Sequence, residues 1–238
     1  MIIDMDNYKL KVFSPRNNLI GRALYQHGIW EPEVTSCVTE ETRLGMIALD
    51  VGADIGYYSL HMSRLVGSQG RVIAFEPIPE ARRRLAYNVS INQCANVTIS
   101  EYALGNQEGP VYLEDPFNQS RLNLTKTAAD TKDINVFIKR LDDLIGELGL
   151  SSVDVVKIDV EGAEHEVLKG MQHTLCAYHP VLIIEVHNKL LPLFDSSSEE
   201  LLNWVSDLGY HISLVDGEPS GDLNFTQTVC CRYNHRNS

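Results

Sequence analysis

From Met46 onward, short runs rich in Val, Ile and Leu alternate with windows of helical periodicity, and this alternation constrains the fold most strongly. Amphipathic helices follow the first, second, fourth and fifth of five predicted strands, which lie at residues 46–51, 71–76, 96–100, 153–159 and 181–186. Strands that alternate with helices form βαβ units, in which the crossover helix makes successive strands parallel. The sequence therefore predicts an α/β domain built on a largely parallel sheet.

The last two predicted strands differ from the others in the length of their connection. They lie near residues 210–215 and 224–232, and the turn-rich segment 216–221 joins them. A parallel crossover needs about a dozen residues or more, so these two strands must be antiparallel. The whole pattern predicts a Rossmann-like, mostly parallel seven-stranded sheet with a C-terminal antiparallel hairpin.

Two segments depart from this alternation. Residues 110–114 and 135–139 have the character of short strands, and a polar stretch around residues 117–120 separates them. We expect an inserted hairpin-like region over one end of the sheet. The N-terminal part predicts helix and loop packed on the core, which divides the chain into a segment of residues 1–45 and a domain of residues 46–238.

The composition limits the partners of this domain. The 238 residues include 32 acidic and 20 basic side chains, which give a net charge of −12. So acidic a surface repels nucleic acid and anionic membranes, and no apolar run approaches the roughly 20 residues of a membrane span. The five cysteines show no metal-ligand spacing, and no signal-like run precedes the domain. We expect a cytoplasmic protein without nucleic-acid or membrane partners.

A loop rich in glycine and acidic residues follows the first predicted strand. Its sequence is Asp50-Val51-Gly52-Ala53-Asp54-Ile55-Gly56. Glycine here allows a sharp turn and a close approach of a ligand, at the sheet end where open α/β folds bind ligands. A dinucleotide fold would carry G-x-G-x-x-G, whereas this loop reads D-x-G-x-x-x-G. Its carboxylates repel a pyrophosphate but can pair with an ammonium group. The loop therefore favours the cationic cofactor S-adenosylmethionine, with Asp50, Gly52, Ala53, Asp54 and Gly56 as binding residues.

A further cofactor contact is predicted at the end of the second strand. Glu76 stands between Phe75 and Pro77, about 20 residues past the glycine loop, where a carboxylate can accept hydrogen bonds from the ribose hydroxyls. Glu101 and Ala103, after the third strand, are placed to border the adenine ring. The loop and the acid in this register together predict the cofactor site.

Polar side chains also follow the fourth and fifth strands. Asp159 and Glu161 continue the row of Lys157, and Glu185 and His187 share one face of the fifth strand. Because the carboxyl ends of parallel strands meet at one edge, these groups should converge near the transferable methyl group. A structural interpretation stays open, in which Lys157 and Glu185 form a buried ion pair.

These residues together resemble the FkbM family of S-adenosylmethionine-dependent methyltransferases. The resemblance extends over roughly Gly28 to His187 and rests on the segments 50–59, 75–77, 141–144, 157–164, 168–170 and 184–186. It implies the class I methyltransferase fold and O-methylation of a sugar, glycoside or polyketide-type hydroxyl in natural product biosynthesis. One position departs from the family, which usually has Asn where this chain has Asp54.

Transfer to a hydroxyl suggests two ways to activate the acceptor. A base can take the hydroxyl proton as the new bond forms, and we assign this role to His187 or Asp159, with Glu185 orienting the histidine. Alternatively, Asp159, Glu161 and Glu185 bind a divalent cation such as magnesium, which lowers the pKa of the hydroxyl. The direct base is the preferred hypothesis.

Two other classes of function are open at this point. A nicotinamide-dependent oxidoreductase is compatible with the fold, although the spacing and acidity of the loop count against it. A non-catalytic module that only binds the cofactor would have no need of the polar groups at Asp159, Glu185 and His187. The N-terminal segment is expected to shape the acceptor pocket or a homodimer contact, with His27, Trp30 and Glu31 as candidates to line the site.

Overall fold

A seven-stranded sheet forms the centre of the protein. The structure is a computed structural model that describes residues 1–5, 8–12, 19–113, 134–216 and 226–234. The strands are β1 (Ile2–Asp4), β2 (Lys9–Lys11), β3 (Ile47–Val51), β4 (Arg71–Phe75), β5 (Val97–Ser100), β6 (Ala103–Leu104), β7 (Gly109–Leu113), β8 (Ile134–Lys139), β9 (Val155–Ile158), β10 (Val181–His187), β11 (Tyr210–Asp216) and β12 (Thr226–Tyr233).

The central sheet has the strand order β11-β12-β10-β9-β3-β4-β5. Its strands β3, β4, β5, β9 and β10 pair in parallel, whereas β12 is antiparallel to both of its neighbours, β10 and β11. This confirms the predicted class I methyltransferase arrangement, with a C-terminal antiparallel hairpin inserted at β12. The predicted turn between the last two strands lies almost wholly outside the described residues.

The central strands are apolar because helices cover both faces of the sheet. In β3, Leu49 and Val51 join one core cluster and Ala48 joins another, as expected for side chains that alternate between two buried faces. All four residues of β9 are buried, including Lys157. A strand of this kind accepts a charged residue only where a partner is present, so Lys157 marks the place where the apolar core meets the site.

Helices connect the strands in the order that the periodicity predicts. They are α1 (Leu19–His27), α2 (Pro32–Glu41), α3 (Tyr57–Val66), α4 (Pro79–Ile91), α5 (Leu141–Leu144), α6 (Glu164–Lys169), α7 (Gln172–Tyr178) and α8 (Ser198–Asp207), with 3₁₀ turns at Gly67–Gln69 and Leu191–Phe194. Among the described residues, no helix has both the length and the apolar character needed to cross a membrane.

After the fourth strand, one apolar stripe at helical spacing predicts a single helix, but the structure has two, α6 and α7, which meet at Gly170. The stripe consists of Val167, Leu168, Met171 and Leu175. A Cβ on Gly170 would lie 2.0 Å from the carbonyl oxygen of Gly105, so the insertion packs directly on this point. The carboxylate of Asp142 accepts the backbone N–H groups of His173 and Thr174 at 3.0 and 2.9 Å. A side chain from outside the stripe thus begins a new helix, which the periodicity does not reveal.

The insertion and the N-terminal segment add two small sheets. β7 and β8 form the predicted hairpin, and β6 joins β8 to make a three-stranded sheet; the polar stretch at residues 117–120 lies outside the described residues. Residues 1–45 contain the expected helices, and in addition a two-stranded hairpin of β1 and β2. The side chain of Asn88 in α4 accepts the Lys11 N–H at 2.8 Å, which holds this hairpin on the core. The division of the chain at residue 45 stays a prediction.

Candidate active site

The predicted site residues gather at the carboxyl end of the parallel strands. The glycine loop follows β3, Glu76 follows β4, Asp159 follows β9, and His187 ends β10. β3 pairs with both β4 and β9, and β9 pairs with β10. The sheet therefore places the loop between the predicted cofactor carboxylate on one side and the predicted acceptor groups on the other.

The glycines of the loop are required by protein neighbours. Gly52 has φ 89°, and a Cβ there would lie 1.8 Å from the backbone oxygen of Asp159. Gly56 has φ 90°, and its Cβ would lie 2.4 Å from Cδ1 of Leu85 in α4. We expected glycine to make room for a ligand, but at both positions the structure shows protein atoms on that side. Gly52 thus brings the loop into direct contact with the strand that carries Asp159.

Glu76 is held by backbone N–H groups from two directions. Its Oε2 accepts the N–H of Asp54 and its Oε1 accepts the N–H of Ile78, each at 2.8 Å. Burial, and to a smaller extent the charge of Asp54, raises the pKa of Glu76 to about 7 although these bonds oppose the shift. A carboxylate has about four acceptor sites, so two remain for the hydroxyl groups of a ribose. The geometry fits the predicted role.

Asp54 occupies a backbone conformation that few residues adopt. Its φ is 44°, in the left-handed region where Asn and Asp are several-fold enriched over other non-glycine residues. Asp in this chain and Asn in the family therefore satisfy the same backbone requirement. Burial raises the pKa of the Asp54 carboxyl, and the charge of Arg84 partly offsets that effect.

Asp50 is buried beneath the loop. Its carboxylate accepts the hydroxyl of Ser59 at 2.5 Å, and only 1% of the residue is exposed. In the sheet it stands opposite Lys157 of β9, so both side chains are on the same face. Burial raises its pKa, against the effect of Lys157. A direct contact between Asp50 and an ammonium group stays a prediction, whereas its support of the loop is visible.

The two residues predicted to border the adenine lie further out. Glu101 is exposed and forms an ion pair with Arg82 at 3.4 Å. Arg82 also donates to the backbone oxygens of Glu76 and Pro77 at 3.0 and 2.9 Å. Ala103 is half-buried in β6, paired with Ile138 of the small sheet. Both adenine contacts stay predictions. The contacts of Arg82 with Glu101 and with the backbone after β4 were not predicted from the sequence.

Lys157 pairs with Asp159. Its Nζ lies 3.1 Å from Oδ2 of Asp159 and 4.5 Å from the ring centroid of Tyr58. Burial alone would lower the pKa of Lys157, but the surrounding carboxylates, led by Asp159 and Asp50, raise it. Lys157 therefore forms its ion pair with Asp159, at the end of its own strand, and not with Glu185 as in the alternative interpretation. A pair this buried is costly to break.

His187 faces carboxylates on both sides of its ring. Its Nδ1 is hydrogen-bonded to Oε1 of Glu164 at 2.8 Å, a contact buried in the protein. Its Nε2 lies 3.6 Å from Glu185, 3.6 Å from Glu161 and 3.9 Å from Asp159. Burial opposes the charged ring, but the hydrogen bond to Glu164 and the nearby charges outweigh it and raise the pKa of His187 to about 9. The ring therefore carries both protons at neutral pH.

The residue that orients His187 is Glu164, which the sequence reading did not select. We assigned this role to Glu185, but its carboxylate faces Nε2 at a distance beyond a hydrogen bond. Glu164 is fully buried at the start of α6 and also accepts the N–H of Gly162 at 2.9 Å. The only available signal was a third acidic residue in the segment 157–164.

The groups best placed to hold a metal ion are Asp159, Glu161 and His187. One ligand atom from each lies within 4.8 Å of the others. The predicted set contained Glu185 in place of His187. The two sets share Asp159 and Glu161, which follow directly after β9, and they differ in which side chain of β10 completes the group.

The N-terminal segment reaches this cluster through Glu31. Glu31 precedes α2 with φ 42°, and its Oε2 accepts the hydroxyl of Tyr58 at 2.7 Å. Burial raises its pKa, whereas Tyr58 and Lys157 lower it. Trp30 donates its backbone N–H to the hydroxyl of Tyr57 at 3.3 Å. Of the three candidates in this segment, Glu31 is the one whose charge is coupled to Lys157 and Asp159.

The comparison with known families decides the class of this protein. The family model of the methyltransferase FkbM domain matches residues 50–212, from the glycine loop to β11. The chain belongs to this family. Membership confirms the resemblance drawn from the sequence, and it identifies the cluster around Asp159 and His187 as part of a methyltransferase domain.

Individual relatives agree with this assignment. The hexuronic acid methyltransferase AglP of Haloferax volcanii is 31% identical over 66% of this chain and 62% of its own length. The 31-O-demethyl-FK506 methyltransferase FkbM of Streptomyces tacrolimicus is 27% identical over 62% of this chain and 68% of its own. The crystal structure of methyltransferase FkbM from Methylobacillus flagellatus is similar in fold, with a TM-score of 0.54 at 17% identity, over 89% of this chain and 59% of that one.

Other relatives are much longer than the part that aligns. The chain spans 57% of methyltransferase 1 of Beauveria bassiana and 10% of the AMB antimetabolite synthetase AmbE of Pseudomonas aeruginosa.

Proposed function

We propose that this protein is an S-adenosylmethionine-dependent O-methyltransferase that acts on a hydroxyl group of a small molecule, such as a sugar, a glycoside or a polyketide-type product, in a biosynthetic pathway. The observation that carries the proposal is the contact between Gly52 and the backbone of Asp159, which joins the cofactor loop to the polar cluster. Family membership supports the class of reaction. Two relatives, a hexuronic acid methyltransferase and a 31-O-demethyl-FK506 methyltransferase, support an acceptor hydroxyl on a sugar or a macrolide-type product.

The loop and Glu76 fit the proposed cofactor. Glu76 keeps acceptor capacity for the ribose hydroxyls, and the acidic loop suits the positive charge of the methionine portion. When bound, S-adenosylmethionine supplies a methyl carbon on a positively charged sulfur, and the C–S bond breaks toward sulfur as the C–O bond to the acceptor forms. The loop would hold the cofactor next to Asp159, as the close alignment needed for such a displacement requires.

The polar cluster supplies the groups that can receive the hydroxyl proton. Asp159 is the residue of the cluster that adjoins the cofactor loop, and its Oδ1 faces His187 while its Oδ2 binds Lys157. His187 is the other candidate, but a ring that already holds both protons cannot act as a base until one is removed. We propose that Asp159, Glu185 and His187 together activate the acceptor, with Glu164 holding the histidine ring.

A two-stage experiment tests this function. Calorimetry with S-adenosylhomocysteine measures cofactor binding first, and Glu76→Gln should weaken it. The protein is then incubated with S-adenosylmethionine and a panel of hexuronates, methyl glycosides and macrolide alcohols, and the products are analysed by mass spectrometry. We expect a gain of one methylene unit on a hydroxyl of at least one acceptor. Methylation confined to nitrogen would contradict the proposal.

The same experiment addresses the two rival classes. A nicotinamide-dependent oxidoreductase would bind NADH and not S-adenosylhomocysteine, and membership of a methyltransferase family counts against it. A non-catalytic module would bind S-adenosylhomocysteine but transfer no methyl group to any acceptor. The buried cluster at His187 supports catalysis, because such groups are costly to hold near a core without a role.

We further propose a cytoplasmic enzyme without nucleic-acid or membrane partners. All five cysteines are free, and four of them are buried, which suits a reducing compartment. The net charge of −12 supports a small-molecule acceptor over a polyanion. A homodimer stays a prediction, and sedimentation of the purified chain would test it.

A further inference from the structure

His187 has the geometry of a metal ligand. The buried Glu164 fixes Nδ1 at 2.8 Å and so leaves Nε2 as the atom that faces the opening of the site. Metal-bound histidines characteristically use the second ring nitrogen in this way, with a carboxylate as partner, because the bond fixes the ring and raises its basicity. The Oε2 of Glu164 is also buried and has no hydrogen-bond partner among the described residues. A carboxylate of this kind needs positive charge at its neighbour.

The surroundings of Nε2 are strongly negative. Three carboxylates, those of Asp159, Glu161 and Glu185, lie between 3.6 and 3.9 Å from this atom. Among the described residues, Lys157 lies on the far side of Asp159, with its Nζ 3.1 Å from the other oxygen of that carboxylate. The protonated His187 ring balances part of this charge, and a divalent cation would displace the Nε2 proton and take its place between the carboxylates. The grouping of these carboxylates around Nε2 is an observation separate from the orientation of the ring.

The distances suit a six-coordinate ion. Ligand atoms about 2.1 Å from one ion lie about 3 Å apart when adjacent and about 4 Å apart when opposite. The Nε2 atom of His187 lies 3.6 Å from Glu161 and 3.9 Å from Asp159, somewhat farther than adjacent ligands of one ion, so a small inward movement of the side chains would bring them into coordination. The side chain of Glu161 is 63% exposed and can move to close the remaining gap. Solvent and the acceptor can fill the open positions.

We propose that Asp159, Glu161 and His187 bind a divalent cation of the Mn²⁺ type, with Glu164 as the positioning residue behind His187. Two carboxylates and one imidazole favour Mn²⁺ over Mg²⁺, because Mg²⁺ prefers ligands that are all oxygen. The inference rests on the proposed function for its role: the acceptor hydroxyl would be a further ligand, and the ion would favour loss of its proton. His187 replaces Glu185 in the ligand set predicted from the sequence.

Binding is measured directly, without turnover. The full chain is stripped with a chelator and titrated with MnCl₂ while free Mn²⁺ is followed by electron paramagnetic resonance, with MgCl₂ and ZnCl₂ in parallel calorimetric titrations. We expect one Mn²⁺ per chain in the wild type. Glu161→Gln removes an exposed ligand and should fold normally, and it should weaken Mn²⁺ binding at least tenfold.

Two further variants separate the ligand from its support. His187→Gln should weaken Mn²⁺ binding to the same extent or more, and Glu164→Gln should weaken it by roughly 10- to 100-fold, as for other partners of ligand histidines. Glu108→Gln removes an exposed carboxylate elsewhere and should leave the affinity unchanged. Thermal unfolding of each variant shows whether a loss of binding reflects loss of the fold.

The outcomes distinguish this inference from the proposed function. If the stripped wild type binds no Mn²⁺, Mg²⁺ or Zn²⁺ at millimolar concentration, or if binding survives both Glu161→Gln and His187→Gln, the metal site is wrong. Methyl transfer that continues in a chelator would then leave the proposed function standing, with Asp159 or His187 as the base. Conversely, Mn²⁺ binding without any binding of S-adenosylhomocysteine would overturn the function and keep the site.

Discussion

The two halves of the active site are built in different ways. On the cofactor side, the hydrogen bonds come mainly from backbone groups. The N–H groups of Asp54 and Ile78 hold the carboxylate of Glu76. The N–H groups of Gly52 and Ala53 donate to the backbone oxygen of Phe75 at 3.0 and 3.1 Å. On the acceptor side, charged side chains contact one another. There Lys157 and His187 stand among several carboxylates.

This difference predicts how each half responds to change. Backbone hydrogen bonds are fixed once the strands pair, so the cofactor side should depend on shape and on the one carboxylate of Glu76, and should be less sensitive to other changes of side-chain charge. The acceptor side holds like charges close together, and burial with the charge of Asp159 raises the pKa of Glu185 to about 8. Its properties should change with each charge that is added or removed, and less with shape.

The largest effect is expected at the contact that joins the halves. In Gly52→Ala, the new methyl group would lie 1.8 Å from the Asp159 oxygen at a positive φ. Overpacking costs about 1–3 kcal/mol and the left-handed conformation about 1–2 kcal/mol more. We expect the Tm to fall by roughly 5–15 °C, with loss of S-adenosylhomocysteine binding. Gly146→Ala, where no atom lies within 4 Å, is the control, and equal behaviour of the two variants would refute the contact.

The acceptor half should lose catalysis without losing the cofactor. In His187→Ala, kcat should fall by about 10²- to 10⁴-fold, the range for groups that assist proton transfer. The dissociation constant of S-adenosylhomocysteine should stay within about threefold, because the cofactor contacts lie on other strands. Steady-state rates with an acceptor found by the screen, and calorimetry, measure the two quantities. The exposed His173→Ala serves as control, and a parallel loss of cofactor binding would mean that the halves are not separable.

The pH dependence of cofactor binding should follow the titration of Glu76, the carboxylate assigned to the ribose hydroxyls. Its pKa of about 7 is raised by burial, so the carboxyl is largely protonated at pH 6 and ionised at pH 8. Ribose hydroxyls donate to the ionised form, so affinity for S-adenosylhomocysteine should fall up to about tenfold per pH unit below 7 and level off above it. Glu76→Gln should bind more weakly and abolish this slope. An unchanged slope in the variant would assign the titration to another group.

The same shift has a consequence for stability with a definite sign. Between pH 4.5 and about 7, folded Glu76 keeps a proton that the unfolded chain has released. The contribution of Glu76 to the free energy of unfolding is therefore fully present below pH 4.5 and is lost as the pH rises through 7. Bound cofactor should reduce the loss, because its hydroxyl groups stabilise the ionised carboxylate.

The smallest effect is expected for Asp54→Asn. Both residues tolerate the left-handed backbone, so affinity for S-adenosylhomocysteine should change by no more than about threefold. The charge of Asp54 contributes to the raised pKa of Glu76, so its removal should move the midpoint of the pH profile to lower pH. Calorimetry at several pH values measures both effects. A large loss of affinity would show that the Asp54 carboxylate itself contacts the cofactor.

Much of the fold could be predicted because it is encoded in short stretches of sequence. The alternation of strands and helices predicted the parallel sheet, and the short connection after residue 215 predicted the antiparallel hairpin. The break between α6 and α7 could not be predicted, because it depends on Asp142 and on the carbonyl of Gly105, both of which approach from other parts of the chain. Periodicity indicates which face of a helix is buried, but it does not indicate where a distant group begins a new helix.

By itself, the sequence determined the sheet, the register of the glycine loop with Glu76, and the convergence of Asp159 and His187 at one edge. These follow from chain connectivity and from side-chain alternation, which act over a few residues. Only the tertiary structure decided that Glu164 holds His187, that Lys157 binds Asp159, and that the hydroxyl of Ser59 donates a hydrogen bond to Asp50. Such choices depend on differences of about an ångström between side chains on separate elements, and packing alone sets those distances.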